Sequence, residues 1–158
     1  MQPLDLIRTA RKTARSQAAV RPRQSDLRRA ISTAYYALFH ALCMNYADCL
    51  IGRTGSDRSK RAWQQAYRTV EHGDARKRCA NQNTISEFPT EIRDFALQFR
   101  TLQQKRHSAD YDPHARFTRT EVDTDIDVAE RVIKGFDLVS LKDRRAFAAW
   151  TAMKTRRT

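Results

Sequence analysis

A dense group of polar side chains, Arg106, His107, Asp110 and Tyr111, follows a run with helical apolar spacing. Arginine can hold two phosphate oxygens through its planar guanidinium, and it stays charged at physiological pH. Histidine can transfer protons near neutral pH. Tyrosine can donate a hydrogen bond or stack on a nucleobase. These residue types indicate chemistry on a phosphate.

The spacing of this segment places Arg106 and Asp110 on a face that is otherwise apolar. At about 100° per residue, both fall in line with an apolar stripe, and Arg100 and His107 lie together on one flank. The stripe consists of Ile92, Phe95, Ala96, Phe99 and Leu102. A buried arginine and carboxylate must pair or bind something. Two interpretations remain: a structural ion pair at the helix end, or a polar pocket with Arg106 aimed at a phosphate.

The segments that would position these residues all have helical spacing. Helices are expected over about 4–19, 26–52, 58–71, 74–79, 89–110 and 118–138, and over a last amphipathic segment after Ser140. Thr118 with Glu121, and Ser140 with Asp143, have the spacing of helix caps. The four glycines and four prolines are too few for an all-β chain. We expect an all-α fold in one domain of residues 1–158, an antiparallel up-and-down bundle of four to five main helices.

The second predicted helix is the most apolar part of the chain. A helix that is apolar almost all round belongs at the centre of a bundle or in an oligomer interface. Small residues on one edge would let another helix approach closely. Its ridge is Leu27, Ile31, Tyr35, Leu38 and Leu42, its small-residue edge is Ala30, Ala34, Ala37 and Ala41, and its back face is Tyr36, His40, Cys43 and Ala47.

Composition narrows the class of protein and the expected partners. The formal net charge of +12 attracts polyanions, most obviously nucleic acid; alternatively, arginine is simply the favoured soluble residue. No run approaches the length of a membrane span, so no membrane partner is expected. Cys43, Cys49 and Cys79 have no metal-ligand spacing and indicate a reducing cytoplasm. Neither a metal nor a cofactor is expected.

Two ordered motifs, "LRRAISTAYYALFHAL" and "LQQKRHSADYDP", resemble those of the HEPN superfamily, and more narrowly of small bacterial HEPN proteins. The match covers about residues 27–113. The resemblance implies an all-α bundle that is often a homodimer. Many members are metal-independent ribonucleases in which a ribose 2′-hydroxyl attacks the adjacent phosphorus in a cleft formed by two subunits. RNA or a nucleotide is then the expected ligand, and a nucleotidyltransferase a partner in a toxin–antitoxin pair.

The ribonuclease signature of that superfamily fits here in two registers, both of which include His107. The signature is an arginine, usually followed by Asn, Asp or His, and then a histidine after four to six intervening residues. Arg106 and His107 match the opening pair, but Tyr111 stands where the histidine is expected, and tyrosine is a poor general base at neutral pH. Arg100 and His107 have the right separation, but Thr101 replaces the polar partner.

The resemblance implies a role for each residue of the candidate site. Arg106 would hold the scissile phosphate, His107 would transfer protons, and Asp110 would orient one of them. Tyr111 would contact base or sugar, and Arg100 would be a second phosphate contact. The candidate catalytic residues are therefore Arg106, His107, Asp110 and Tyr111, and Arg100 is a candidate substrate-binding residue.

Tyr36, His40 and His72 are three more aromatic residues considered for the site. Tyr36 and His40, one turn apart, either pack with a hydrogen-bonded imidazole or complete the pocket beside Arg106 as substrate-binding residues. His72 is expected at the C-terminus of the third helix, where a cation is favourable.

Three functions therefore remain open. The first is an RNA- or nucleotide-binding HEPN-type bundle that cleaves RNA without metal, as a toxin or defence component. The second is a non-catalytic dimerisation or nucleotide-binding module that acts with a partner protein. The third is a basic structural bundle with no ligand.

Overall fold

The computed structural model describes residues 2–15, 21–55 and 57–157, and every regular element in these ranges is a helix, which confirms the all-α class. No helix in the same ranges is both long and apolar enough to cross a membrane. The elements in chain order are α1 (Pro3–Ala14), α2 (Gln24–Ile51), α3 (Lys60–Tyr67), α4 (His72–Ala80), α5 (Gln82–Ile85), α6 (Thr90–Tyr111), α7 (Arg119–Asp137) and α8 (Leu141–Ala152).

Helix α2 lies at the centre of the fold and contacts α1, α3, α6, α7 and α8. Its predicted ridge and its small-residue edge are buried along their whole length. This burial explains why the helix carries so few charges after its first turns. The helix ends at Gly52, whose φ of 122° is a conformation that residues with a side chain rarely adopt.

Helix α6 begins directly after Pro89 and ends at Tyr111, one residue later at each end than the predicted range of 89–110. All five residues of its predicted apolar stripe are completely buried. The next helix is capped as predicted, because the Thr118 hydroxyl accepts from the backbone N–H of Glu121 at 3.1 Å. Ser140 caps α8 in the same way by accepting from Asp143.

The boundaries between α1 and α5 differ from the sequence-based expectation. Helix α1 ends at Ala14, and the expected end near residue 19 lies outside the described residues. Helix α3 is shorter than predicted, because Ser59 caps its start and a turn follows Tyr67. The short helix α5, which the sequence analysis did not predict, is capped by the side chain of Asn81.

Two side chains from the start of α2 fix the end of α6 and the segment that leads to α7. Gln24 both donates to the backbone oxygen of Phe117 and accepts from its backbone N–H. Arg28 donates to a series of backbone carbonyls, those of Ala109, Asp112, Pro113 and Ala115. The region around the "ADYDP" motif is therefore tied to α2.

Candidate functional site

Arg106 continues the buried stripe of α6 and pairs with a carboxylate of the same helix, which in turn contacts α2. Its Nη1 lies 3.3 Å from Oδ2 of Asp110, one turn later. The other carboxylate oxygen of Asp110 accepts a hydrogen bond of 2.9 Å from the Ser32 hydroxyl of α2. The two charged side chains are 17% and 33% exposed. The pair thus lies within α6, its carboxylate joins α6 to α2 through Ser32, and it stays partly open to solvent.

The guanidinium of Arg106 also lies against two tyrosine rings of α2. Its central carbon is 4.9 Å from the ring centroid of Tyr35 and 5.9 Å from that of Tyr36. Such cation–π contacts stabilise an arginine that has lost part of its hydration. Tyr35 is fully buried, whereas Tyr36 is 36% exposed. Tyr36 therefore borders Arg106 at the surface, as one interpretation of the sequence expected.

The nitrogens of Arg106 differ in what they contact. Nη1 donates to Asp110, and Nε is buried with no hydrogen-bond partner among the described residues. Nη2 makes no hydrogen bond within those residues. The side chain is thus held on its Tyr35 and Asp110 sides, it is 17% exposed, and Nη2 is the donor left for an anion.

His72 joins this cluster from α4. Its Nδ1 is hydrogen-bonded to the Tyr35 hydroxyl, and its ring stacks on Phe39 with a centroid separation of 3.6 Å. Gln103 of α6 donates to its backbone oxygen at 3.2 Å. Burial lowers the pKa of His72, and the positive charge of Arg106 lowers it further. The imidazole is therefore neutral at pH 7 and lies one hydrogen bond beyond the ring that supports Arg106.

The sequence analysis placed His72 wrongly, at the C-terminus of the third helix. The residue is instead the first residue of α4. Asp74 lies in the first turn of that helix, where the helix dipole stabilises a negative charge. This acidic residue was the signal in the sequence that a helix starts at His72 and not two residues later.

His107 and Tyr111 lie on a different side of α6 from the Arg106 cluster. Successive helical residues differ in direction by about 100°, so His107 does not follow Arg106 onto α2. Its ring lies 5.1 Å from that of Tyr111, centroid to centroid. Tyr111 is 68% exposed. Of the four predicted catalytic residues, the structure brings Arg106 and Asp110 into contact, and His107 and Tyr111 into a separate exposed pair.

The remaining predicted substrate-binding residues, Arg100 and His40, make no hydrogen bond or ion pair with Arg106 among the described residues. Burial raises the pKa of Cys79 on α4 to about 12, and the charge of Arg100 opposes that rise. The Nδ1 of His40 is hydrogen-bonded to the hydroxyl of Tyr67 on α3. Burial lowers the pKa of His40. The His40 ring is 6.5 Å from that of Tyr36, so it adjoins the cluster without touching Arg106.

The positive charge and the hydrogen-bond donors of Arg106 are suited to an anionic ligand. Within the ranges that the structure describes, no group of three or more His, Cys, Asp or Glu side chains could hold a metal ion. No protein-family model, no curated protein and no solved structure matches this chain.

Proposed function

We propose that this protein is a HEPN-type bundle that binds RNA or a nucleotide through a phosphate contact at Arg106. The observation that carries the proposal is a partly exposed guanidinium that is held by Asp110 and two tyrosine rings and whose Nη2 makes no hydrogen bond to the described residues. A preorganised arginine of this kind loses little freedom when it binds a phosphate oxygen. The net charge of +12 would draw a polyanion toward it.

The exposed ring of Tyr36 supplies the second element of this binding site. It lies beside the guanidinium and is accessible from solvent. Aromatic rings next to arginines are common platforms for the unstacked bases of single-stranded RNA. In the proposed complex a base stacks on Tyr36 while the adjacent phosphate contacts Arg106.

The proposal includes an up-and-down arrangement of the longer helices, which rests on their spacing in the sequence, and a homodimer, which is carried over from the resemblance. A second copy would place another Arg106 face opposite the first and enclose the RNA between them. The proposed setting is a cytoplasmic toxin or defence system in which a nucleotidyltransferase is a partner.

Cleavage would follow if His107 reaches the same phosphate as Arg106. A base removes the proton of the ribose 2′-hydroxyl, the 2′-oxygen attacks the adjacent phosphorus, and the 5′-oxygen leaves with a proton. Arg106 neutralises the charge that builds on the phosphate, Asp110 orients Arg106, and His107 is the exposed imidazole available for proton transfer. Tyr111, in contact with His107, would hold base or sugar, and Arg100 a neighbouring phosphate.

A second candidate function, binding without cleavage, is favoured by the position of His107. The ring of His107 lies against Tyr111 and not in the Arg106 cluster. The imidazole in that cluster is His72, which is half-buried and whose Nδ1 is already hydrogen-bonded to the Tyr35 hydroxyl. In this case the protein is a non-catalytic dimerisation or nucleotide-binding module for a partner protein.

One experiment separates the two functions. The purified protein is incubated with mixed RNA and a metal chelator, and both binding and strand cleavage are measured. Cleavage that is lost in Arg106→Ala and in His107→Ala supports the ribonuclease. Binding that is lost only in Arg106→Ala, without cleavage by the unaltered protein, supports the module. Absence of both binding and cleavage contradicts the proposal.

A further inference from the structure

A second cleft, distinct from the Arg106 site, lies between α2, α3 and the segment that joins them. Its volume is about 680 Å³, within the usual range of small-molecule sites. Aromatic and basic side chains dominate its lining. Its lining includes His40, Asp48, Arg53, Trp63, Tyr67 and Arg68.

Two aromatic rings of α3 in this cleft are each fixed by a polar anchor on α2. Trp63 and Tyr67 are one turn apart, and their ring centroids are separated by 5.1 Å. The indole N–H of Trp63 donates to Oδ1 of Asp48 at 2.8 Å. The hydroxyl of Tyr67 is hydrogen-bonded to His40. The guanidinium of Arg58 already lies over the Trp63 ring, 4.4 Å from its centroid. A flat ligand therefore stacks on the Tyr67 ring or takes the place of that guanidinium, and the fixed rings need little ordering when it binds.

The cleft also holds more positive than negative charge. Among its described lining residues, the one carboxylate, Asp48, faces three arginines, and its Oδ1 is already occupied by Trp63. The nearest arginine contacts, from Arg53 and Arg58, are 3.9 Å and 4.0 Å, which is too long for a hydrogen bond. Arg68 has no acidic partner in the part of the chain that the structure describes. Guanidinium donors are therefore available to an anionic ligand.

We propose that this cleft binds a nucleoside phosphate. The base stacks on Trp63 or Tyr67, and the phosphate is held by Arg53 and Arg68. An aromatic ring alone or an arginine cluster alone would not select nucleoside phosphates over other ligands, but both occur here within one small cleft. The ligand is either a free nucleotide or the terminal nucleotide of an RNA, since both carry the same base and phosphate.

Adenosine monophosphate is the probe for the test, and Trp63 is the reporter. The chain has two tryptophans, and the other, Trp150, packs against Arg78 away from this cleft. A Trp150→Phe variant therefore reports from Trp63 alone, and calorimetry on the unaltered protein gives an independent measurement. We expect a saturable fluorescence change with AMP, and weaker binding of adenosine and of ribose 5-phosphate, each of which lacks one recognised group.

The decisive variant replaces the two proposed phosphate contacts, Arg53→Ala with Arg68→Ala. We expect it to weaken AMP binding by about tenfold or more, because charge-assisted hydrogen bonds are lost. The matched control is Arg93→Ala with Arg131→Ala, which removes the same charge from exposed positions on α6 and α7 and should leave affinity nearly unchanged.

Two results would overturn the proposal: no saturable binding of AMP by either method, or equal loss in the double variant and its control. Failure of RNA binding at Arg106 would leave this test unaffected, so the two proposals fail separately. Competition between AMP and a 5′-phosphorylated oligoribonucleotide assigns an RNA end as the ligand. Independent binding assigns the free nucleotide.

Discussion

Arg106 shows how a charged side chain can occupy the end of a buried stripe. Loss of hydration around a guanidinium is unfavourable unless other contacts replace it. Here Asp110 supplies the opposite charge, and Tyr35 and Tyr36 supply ring faces. The carboxylate is in turn held by Ser32. The partial exposure of the pair leaves its contribution to stability small.

Helical periodicity alone could predict where Arg106 and Asp110 lie, because both continue the spacing of the residues before them. The contact between Arg106 and Tyr36 could be predicted only by knowing that α6 packs on α2. In the sequence it was one of two interpretations of Tyr36. The Tyr35–His72 hydrogen bond could not be predicted, since it joins residues 37 positions apart and depends on the path of the chain between α2 and α4.

At the residue scale we predict that His72→Asn flattens the pH dependence of stability. Burial lowers the pKa of His72 from its ordinary value of 6.5, so the unfolded chain binds this proton more readily than the folded one. The stabilisation is present above pH 6.5 and is lost as the pH falls below it. Denaturant unfolding between pH 7.5 and pH 5 should show a smaller decrease in the free energy of unfolding for the variant.

The matched control for this prediction is His114→Asn, at an exposed position after α6. Its curve should follow that of the unaltered protein. The asparagine introduced in place of His72 can still form a hydrogen bond with Tyr35, but it loses the stacking on Phe39. The change of stability with pH, and not its absolute value, is therefore compared. A pH dependence that is identical in all three proteins would contradict the assignment.

At the element scale, Arg28 is the side chain that holds the end of α6 on α2. It donates to carbonyls at both the last turn of α6 and the segment after it. We predict that Arg28→Ala lowers the free energy of unfolding by about 1–3 kcal/mol, because several carbonyls lose a charged donor. Arg29→Ala, one position along and exposed, should change it by less than about 0.5 kcal/mol.

Denaturant titration of both variants checks this prediction. Equal stability of Arg28→Ala and Arg29→Ala would show that solvent replaces the donor at no loss. The sequence analysis missed Arg28, because its donors go to backbone carbonyls, which leave no pattern in the residue types. The same applies to Gln24, which pairs with the backbone of Phe117.

The strongly periodic helices were predictable, and the weakly patterned region between them was not. Helices α2 and α6 have long apolar stripes, and Thr118 and Ser140 are caps whose spacing is visible in the sequence. Between α3 and α5 the segments are short and polar, so local capping decides the boundaries. There the side chains of Ser59 and Asn81 set the helix starts, and the sequence analysis used neither.

At the scale of the whole molecule, the net charge of +12 predicts that binding of RNA depends strongly on salt. Each phosphate neutralised by arginine or lysine releases a counterion, and the affinity for a single strand falls with a log–log slope of about −0.7 per contact. We expect the affinity for a short single-stranded RNA to fall at least about tenfold between roughly 50 mM and 200 mM salt. Fluorescence anisotropy across that range checks it, and a flat response would contradict a phosphate-based mode.

The central claim is that Arg106 is the phosphate contact, and the most direct measurement compares two arginines of the same helix. Arg106→Ala and Arg93→Ala remove the same charge from α6, but Arg93 is exposed and its side chain donates to the hydroxyl of Thr90. Affinity for a labelled single-stranded RNA is measured for both at one salt concentration. We predict that Arg106→Ala weakens binding by about tenfold or more relative to Arg93→Ala. Equal affinities of the two variants would contradict the claim.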